Sequence, residues 1–237
     1  MWSNGRSDTL TFDSGLPVPI EVRPIRGARR LRLHYDDVRG VLKLTCPPRT
    51  SRRAALAWAL EQRDWVDAQV ARALPAEPFA PGAVIPLEGY ATRLVWAEGE
   101  PRTARLLGGE LLCGGPEAGF ARRIELFLKG HALATMSSEV AKFAAAAGVA
   151  VTSVSVGDAG SRWGSCSSQG RIRLSWRLIL ASPQARRYVV AHEVAHLAHL
   201  NHGPEFKALE ARLFGTGLAA AKAILRREAP RLRRIGR

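Results

Sequence analysis

Four residues within one short stretch carry the chemistry open to this chain: His192, Glu193, His196 and His202. In the run His192-Glu193-Val194-Ala195-His196, two imidazoles stand four positions apart. On an α-helix residues at that spacing share a face, so both rings can address one ion. Glu193 flanks that face, where its carboxylate can reach a water on the ion without becoming a ligand. The expected chemistry is zinc-dependent hydrolysis: the metal lowers the pKa of its bound water toward about 7, and Glu193 takes the proton.

The elements around these residues must place them. Ser182-Pro183 is a helix start, with Ser182 as N-cap and Pro183 at the first helical position, and Val189, Val190, Val194 and Leu197 give the helix a buried side. If that helix continued, a residue six beyond His196 would be rotated about 240° away, so a third ligand requires the helix to stop. Asn201 and Gly203 can adopt left-handed backbone, and Pro204 suits the start of a new helix, so the segment from 201 to 204 reads as a turn that returns His202 to the metal. His199 competes for the third position, but it lies about 10 Å along the helix axis from His192. It is expected to face substrate or solvent, or to support a ligand. Arg162, Arg171, Arg173 and Tyr188 are candidates to stabilise charge in the transition state. Arg162 and Trp163 are the candidate substrate-binding residues, against the plainer roles of salt bridge and packing. Cys166 lacks a local base that would make it a nucleophile.

The segments Arg162-Trp163-Gly164-Ser165-Cys166, Arg173-Leu174-Ser175-Trp176-Arg177-Leu178-Ile179, His192 to His196, and Asn201-His202 together resemble the YgjP-like family of bacterial metal-dependent hydrolases, often classed as zinc metallopeptidases. The resemblance extends through the amino-terminal half, from the basic strand near Val22 to Leu33 to the stretch Pro81-Gly82 leading to Leu87-Glu88-Gly89. His202-Gly203-Pro204-Glu205-Phe206 is also similar to the third-ligand segment of SprT-like proteases, which cut DNA-bound proteins. The resemblance implies His192, His196 and His202 as zinc ligands and Glu193 as the base. The chain departs from relatives with Lys207 after Phe206, where many carry Trp, and with His199 at the spacing where metzincin proteases use Gly.

Length and composition bound the rest. The chain has 237 residues and a formal net charge of +14, with 30 arginines against 5 lysines. The excess of basic residues would attract nucleic acid or another polyanion over a Debye length of about 10 Å. Basic clusters lie at Arg23 to Arg32, Arg49 to Arg53 and in the tail from Arg226 to Arg237. No run is long and apolar enough for a membrane span, and the opening residues lack the apolar stretch of a signal peptide. A cytoplasmic location without membrane contact is expected. Cys46, Cys113 and Cys166 are odd in number and widely spaced, which suits reduced thiols.

The expected fold class is α+β: a zincin-like catalytic domain with its His-Glu-x-x-His helix beside a small sheet, preceded by a β-rich amino-terminal region with one helix. A loose tail is expected over residues 1 to 15, the β-rich region over 16 to 115 and the metallohydrolase domain over 116 to 237. Strands are expected at Val18 to Pro24, Arg30 to Tyr35, Val41 to Cys46, Val84 to Leu87, Tyr90 to Trp96, Thr103 to Leu107 and Glu110 to Cys113. A helix runs from Thr50 or Ser51 to about Arg72 with Trp58 and Trp65 as core anchors, and Pro75 to Pro81 reads as a linker. Beyond the Gly114-Gly115-Pro116 break come a long helix from Glu117 to Ala147, strands at Val149 to Val156 and Arg171 to Ile179, and helices near Pro204 to Phe214 and Leu218 to Arg234. No sequence repeat is evident. Three functions remain in play: a metallopeptidase acting on peptides or proteins, a zinc hydrolase of nucleotides or other phosphate esters, and a polyanion-binding module whose zinc is structural.

Overall fold

A computed structural model describes residues 8–11, 17–73, 75–158 and 162–237, with backbone alone at 71 and 72. The chain forms two compact units, 1–75 and 76–237, and each has its own core.

In the first unit, β1 (Asp8–Thr11), β2 (Pro17–Pro24), β3 (Arg32–Asp36) and β4 (Val41–Cys46) form a sheet of order β1-β2-β4-β3. Ile20, Leu42 and Leu44 bury one of its faces together with Ala55, Ala59 and Val66. Those last three belong to α1 (Arg52–Glu61) and α2 (Arg63–Arg72), two helices that meet at Gln62 where the sequence predicts one. Ser51 caps α1 by accepting a hydrogen bond from the Ala54 amide. Trp58 packs on this core as expected, whereas Trp65 is 40% exposed and is not part of the core formed by the described residues. Of the expected loose tail, Asp8–Thr11 is a strand paired antiparallel to β2, and the rest lies outside the described residues.

The second unit opens with another four-stranded sheet. It contains β5 (Val84–Leu87), β6 (Tyr90–Trp96), β7 (Arg105–Leu107) and β8 (Glu110–Cys113), in the order β5-β6-β8-β7. This is the topology of the first sheet: two hairpins joined through a central parallel pair, β2 with β4 there and β6 with β8 here. Each ends on a buried cysteine, Cys46 or Cys113, before the chain turns into helix. The repeat is one of topology and leaves no sequence period, because the turns and outward residues differ.

A short 3-10 turn leads from this sheet into α3 (Phe120–Ala147), whose buried Phe120, Ile124, Leu128, Ala132, Met136 and Val140 recur every four residues along one stripe. Gly148 ends the helix in left-handed backbone. The sheet and the helix share a single core. The division of the chain therefore falls at Pro75, not at the Gly114-Gly115-Pro116 break predicted from composition. The predicted linker is likewise docked in part: Phe79 is buried near Trp176, and Glu77 forms a bridge with Ile235.

Next come β9 (Ser153–Gly157), β10 (Gly164–Cys166) and β11 (Arg171–Ser175), a sheet with β11 central, parallel to β9 and antiparallel to β10. The predicted strand from Arg171 to Ile179 stops at Ser175, where a wholly buried 3-10 turn, Trp176–Leu180, takes over. The fold closes with α4 (Pro183–Ala198), α5 (Pro204–Phe214) and α6 (Leu218–Leu232). Among the described residues, no helix is long and apolar enough to cross a membrane.

Two ion-pair systems hold these helices. Arg186 on α4 is almost fully buried and donates to both carboxylate oxygens of Glu139 on α3, with Nη2 to Oε1 at 2.9 Å, while its Nη1 lies 3.0 Å from Glu88. Such a pair fixes orientation, since removing either partner strands a buried charge. Buried Arg177 clasps the carboxyl terminus, pairing with Asp158 at 2.8 Å and donating to the carbonyls of Leu232 and Ile235. Arg237 also pairs with Asp158, and Arg231 with Glu77. Two arginines of the basic tail, Arg231 and Arg237, are thus paired with carboxylates of the fold at its surface.

Candidate metal centre

α4 is buried on most sides, so its few partly exposed positions are the ones left to do chemistry. His192 and His196 project from that strip, and His202 joins them: one ring nitrogen from each lies within 4.8 Å of the others. The chain leaves α4 at His199, whose φ of −135° and ψ of 106° are extended, and re-enters helix at Pro204. Neither Asn201 nor Gly203 uses the left-handed backbone expected of it: Gly203 is extended, with φ −69° and ψ −175°.

The buried face of α5 completes the cluster. Phe206 is buried between the three imidazoles, with ring centroids 5.1, 4.5 and 4.7 Å from those of His192, His196 and His202. One turn later, the Glu210 carboxylate accepts a 2.7 Å hydrogen bond from His192 Nδ1 and a 3.0 Å bond from Lys222 Nζ. Burial would raise the Glu210 pKa, but the bonds from His192 and Lys222 and the Lys222 charge hold it below its usual range. His196 Nδ1 lies 3.1 Å from the His199 carbonyl. A carbonyl can only accept, so that nitrogen carries the proton. In both histidines the Nε2 lone pair is therefore left for a ligand, the arrangement by which outer partners orient metal-binding imidazoles. Burial keeps His196 below its ordinary pKa, against the hydrogen bond to the His199 carbonyl.

The donor set suits a divalent metal such as zinc. His192 and His202 present Nε2 atoms 3.3 Å apart. Two ligands on a tetrahedral ion with bonds near 2.0–2.1 Å stand at about that separation. Among the described residues no fourth histidine, cysteine or carboxylate joins the group. His199 lies outside it: its carbonyl supports His196, and its ring lies 3.5 Å from Glu205.

Glu193 packs against the sheet. It is 6% exposed, and its carboxylate lies directly on Gly164 of β10: a Cβ at that position would stand 2.5 Å from Glu193 Oε1. Burial pushes its pKa up to about 7, against the pull of the Arg162 charge. A carboxyl of that affinity can both take and return a proton near neutral pH.

The other predicted site residues fall nearby with different parts. Arg162 and Trp163 line a cleft beside Gly164 together with Arg173, and the Arg233 guanidinium lies 5.0 Å from the centre of the Trp163 ring. Tyr188 packs edge-on to His192 and Phe214, and burial followed by the charges of Glu210 and Glu193 pushes its hydroxyl up to about 12, so it stays protonated. Burial and the Glu193 charge also push the Cys166 thiol up, the wrong direction for a nucleophile.

The spacing argument from the sequence does not assign Phe206, Glu210, Lys222 or Gly164 a part in the site. For Glu210 a signal was present: it shares the apolar stripe of α5 with Phe206, Leu209 and Leu213, and a carboxylate on a buried stripe needs a partner.

Searches of curated proteins and of solved structures each returned no match. Residues 29–228 match the family described as "YgjP-like, metallopeptidase domain". Its coverage of most of the chain, together with a histidine cluster able to hold a metal, places this protein in the YgjP-like metallopeptidase-domain family.

Proposed function

We propose that the protein is a zinc metallopeptidase in which His192, His196 and His202 hold the ion and Glu193 is the general base. Zinc, when bound, supplies Lewis acidity that polarises a carbonyl and makes water a stronger acid. The chain's own residues do the rest. Glu210 and the His199 carbonyl hold two imidazoles in the tautomer that leaves Nε2 free. Glu193 takes a proton from the attacking water onto its carboxylate and returns it to the departing amine, and its burial keeps bulk water from competing.

One observation carries the choice of a peptide substrate. β10 is an edge strand, and its Gly164 touches Glu193. An extended peptide added to that edge by main-chain hydrogen bonds would pass the base without needing a particular side-chain sequence. β9 forms the other edge of this sheet, away from β10. β11 is the central strand, and the edge beside α4 is the three-residue β10. Three free cysteines are consistent with work in the reducing cytoplasm.

A second reading, hydrolysis of a nucleotide or other phosphate ester, has the arginines of the neighbouring cleft in its favour. Supplying zinc-loaded protein with an unfolded protein and with nucleoside triphosphates in parallel decides between them. Cleavage of the protein alone is expected, and triphosphate turnover without proteolysis would reverse the assignment. A polyanion-binding module with a structural ion would normally close the site with a fourth ligand and has no use for Glu193. Recruitment of nucleic acid as a partner finds its best surface in the first unit, where Arg26, Arg29, Arg30 and Arg32 line one concavity. DNA affinity falling steeply with salt would support that role, and no binding at about 50 mM salt would remove it.

A further inference from the structure

The buried Glu210 carboxylate is held by two donors of different kinds. Its Oε1 accepts the 2.7 Å hydrogen bond from His192 Nδ1, and its Oε2 accepts the 3.0 Å bond from Lys222 Nζ on α6. Among the described residues neither oxygen has another partner, and Glu210 is only 2% exposed, which leaves little room for water to replace either donor. Lys222 reaches His192 by a second route. Its ammonium lies 5.2 Å from the centre of the Tyr188 ring, and that ring packs edge-on to His192 with centroids 6.0 Å apart. One charge on α6 therefore contacts both a hydrogen-bond partner and a packing partner of the same imidazole. The helix that carries it is fixed in turn: Ala221 and Leu225 are buried, and Glu228 accepts from the Ser182 amide at the start of α4.

A carboxylate held by a single donor can swing about its last side-chain bond, whose torsion is broad, and the imidazole bonded to it would follow. Two donors from different helices remove that freedom, and partners of this kind orient metal-binding imidazoles. The residue type matters as well. A guanidinium here would tend to grip both oxygens at once and compete with His192 for Oε1. An ammonium is a compact point charge, so it takes one oxygen and leaves the other to the imidazole. The chain has 30 arginines against 5 lysines, and it places one of those five at this position.

We propose that Lys222 is a positioning residue of the metal centre, acting through Glu210 on the His192 ring, so that metal affinity depends on a charge carried by α6. The proposal rests on the reading of His192, His196 and His202 as the ligands. Its sign runs against simple electrostatics. A positive charge near a divalent ion repels it, so loss of the ammonium would by charge alone tighten binding, whereas loss of a positioning group loosens it.

The test is zinc affinity of the full-length protein, measured by competition with a chromogenic chelator in wild type, Lys222→Met, Glu210→Ala and the double variant. Lys222→Met keeps an aliphatic stem and removes the charge and the donor. It should weaken zinc binding about tenfold, the lower end for loss of a group that orients a ligand. In the Glu210→Ala background the same substitution should change nothing further, because the carboxylate through which Lys222 acts is gone. Arg226→Gln removes an exposed charge one turn along α6 and should leave the affinity unchanged. Affinity in Lys222→Met equal to or tighter than wild type would overturn the proposal. So would an equal loss in both backgrounds, which would mean a general loosening of α6. Zinc binding that survives His202→Ala undiminished would refute the ligand set itself, a separate failure with which the proposal would also fall.

Discussion

Replacing Gly164 by alanine should disable the proposed base without touching the metal. The added Cβ would stand 2.5 Å from Glu193 Oε1, 2.6 Å from Cγ and 2.7 Å from Cδ, where ordinary contact begins at 3.4 Å. The carboxylate must therefore retreat by about 1 Å, and a shift of that size in a reacting group costs about a hundredfold in rate. Gly164 does not occupy left-handed backbone, so alanine adds no main-chain strain there. The crowding itself should cost about 1–3 kcal/mol of stability, as overpacking of a buried site does. Peptide turnover, zinc content and urea denaturation of the purified variant measure the three effects separately. The expected result is turnover down about a hundredfold, one zinc per chain retained, and a modest loss of stability. Wild-type turnover in a zinc-loaded Gly164→Ala protein would show that the contact with Glu193 has no bearing on catalysis.

Further outcomes follow from the same geometry. Glu210→Ala releases His192 Nδ1, so zinc affinity by competition with a chelator should weaken about 10–100-fold, and an unchanged affinity would remove Glu210 from the site. His202→Ala should lose most of its zinc while His199→Ala keeps it, because His199 serves through its main-chain carbonyl; equal retention would undo the ligand assignment. Asp158 contributes acid sensitivity. Burial alone would raise its pKa, but the Arg177 hydrogen bond and the charges of Arg177, Arg237 and Lys129 outweigh burial and hold it below 3.8. A depressed carboxylate gives its full stabilisation above the unfolded-state value of about 3.9 and loses it as pH falls through the folded one. In urea denaturation, Asp158→Asn should thus be less stable than wild type at about pH 6, with the gap narrowing toward about pH 3. A constant gap would contradict the pairing.

The parts of this molecule legible in the sequence are those where local chemistry and tertiary contact agree. The His192 to His196 spacing, the Pro183 and Pro204 helix starts and the strands of both four-stranded sheets other than β1 read directly, whereas β1 falls in the polar opening segment and is a strand through its pairing with β2. Trp176–Leu180 did not, because five successive buried residues look the same whether the backbone is strand or 3-10 turn. β10 was hidden for the opposite reason: Gly164, Ser165 and Cys166 carry no alternation, and pairing with β11 alone makes them a strand. The left-handed turn expected at Asn201 and Gly203 rested on permitted conformations, and permission does not select. The division at Pro75 follows from which apolar faces share a core, a long-range property that the Gly-Gly-Pro break at 114 to 116 does not encode.

We propose that Glu193 moves the proton at a three-histidine zinc site that cuts peptides. Glu193→Gln keeps the size of the side chain and all three histidines, so zinc content and turnover of one unfolded protein substrate, measured on the same preparation, test that claim directly. The expected result is a full complement of zinc with turnover lowered at least about a hundredfold. A zinc-loaded Glu193→Gln protein that cuts the substrate at the wild-type rate would contradict it.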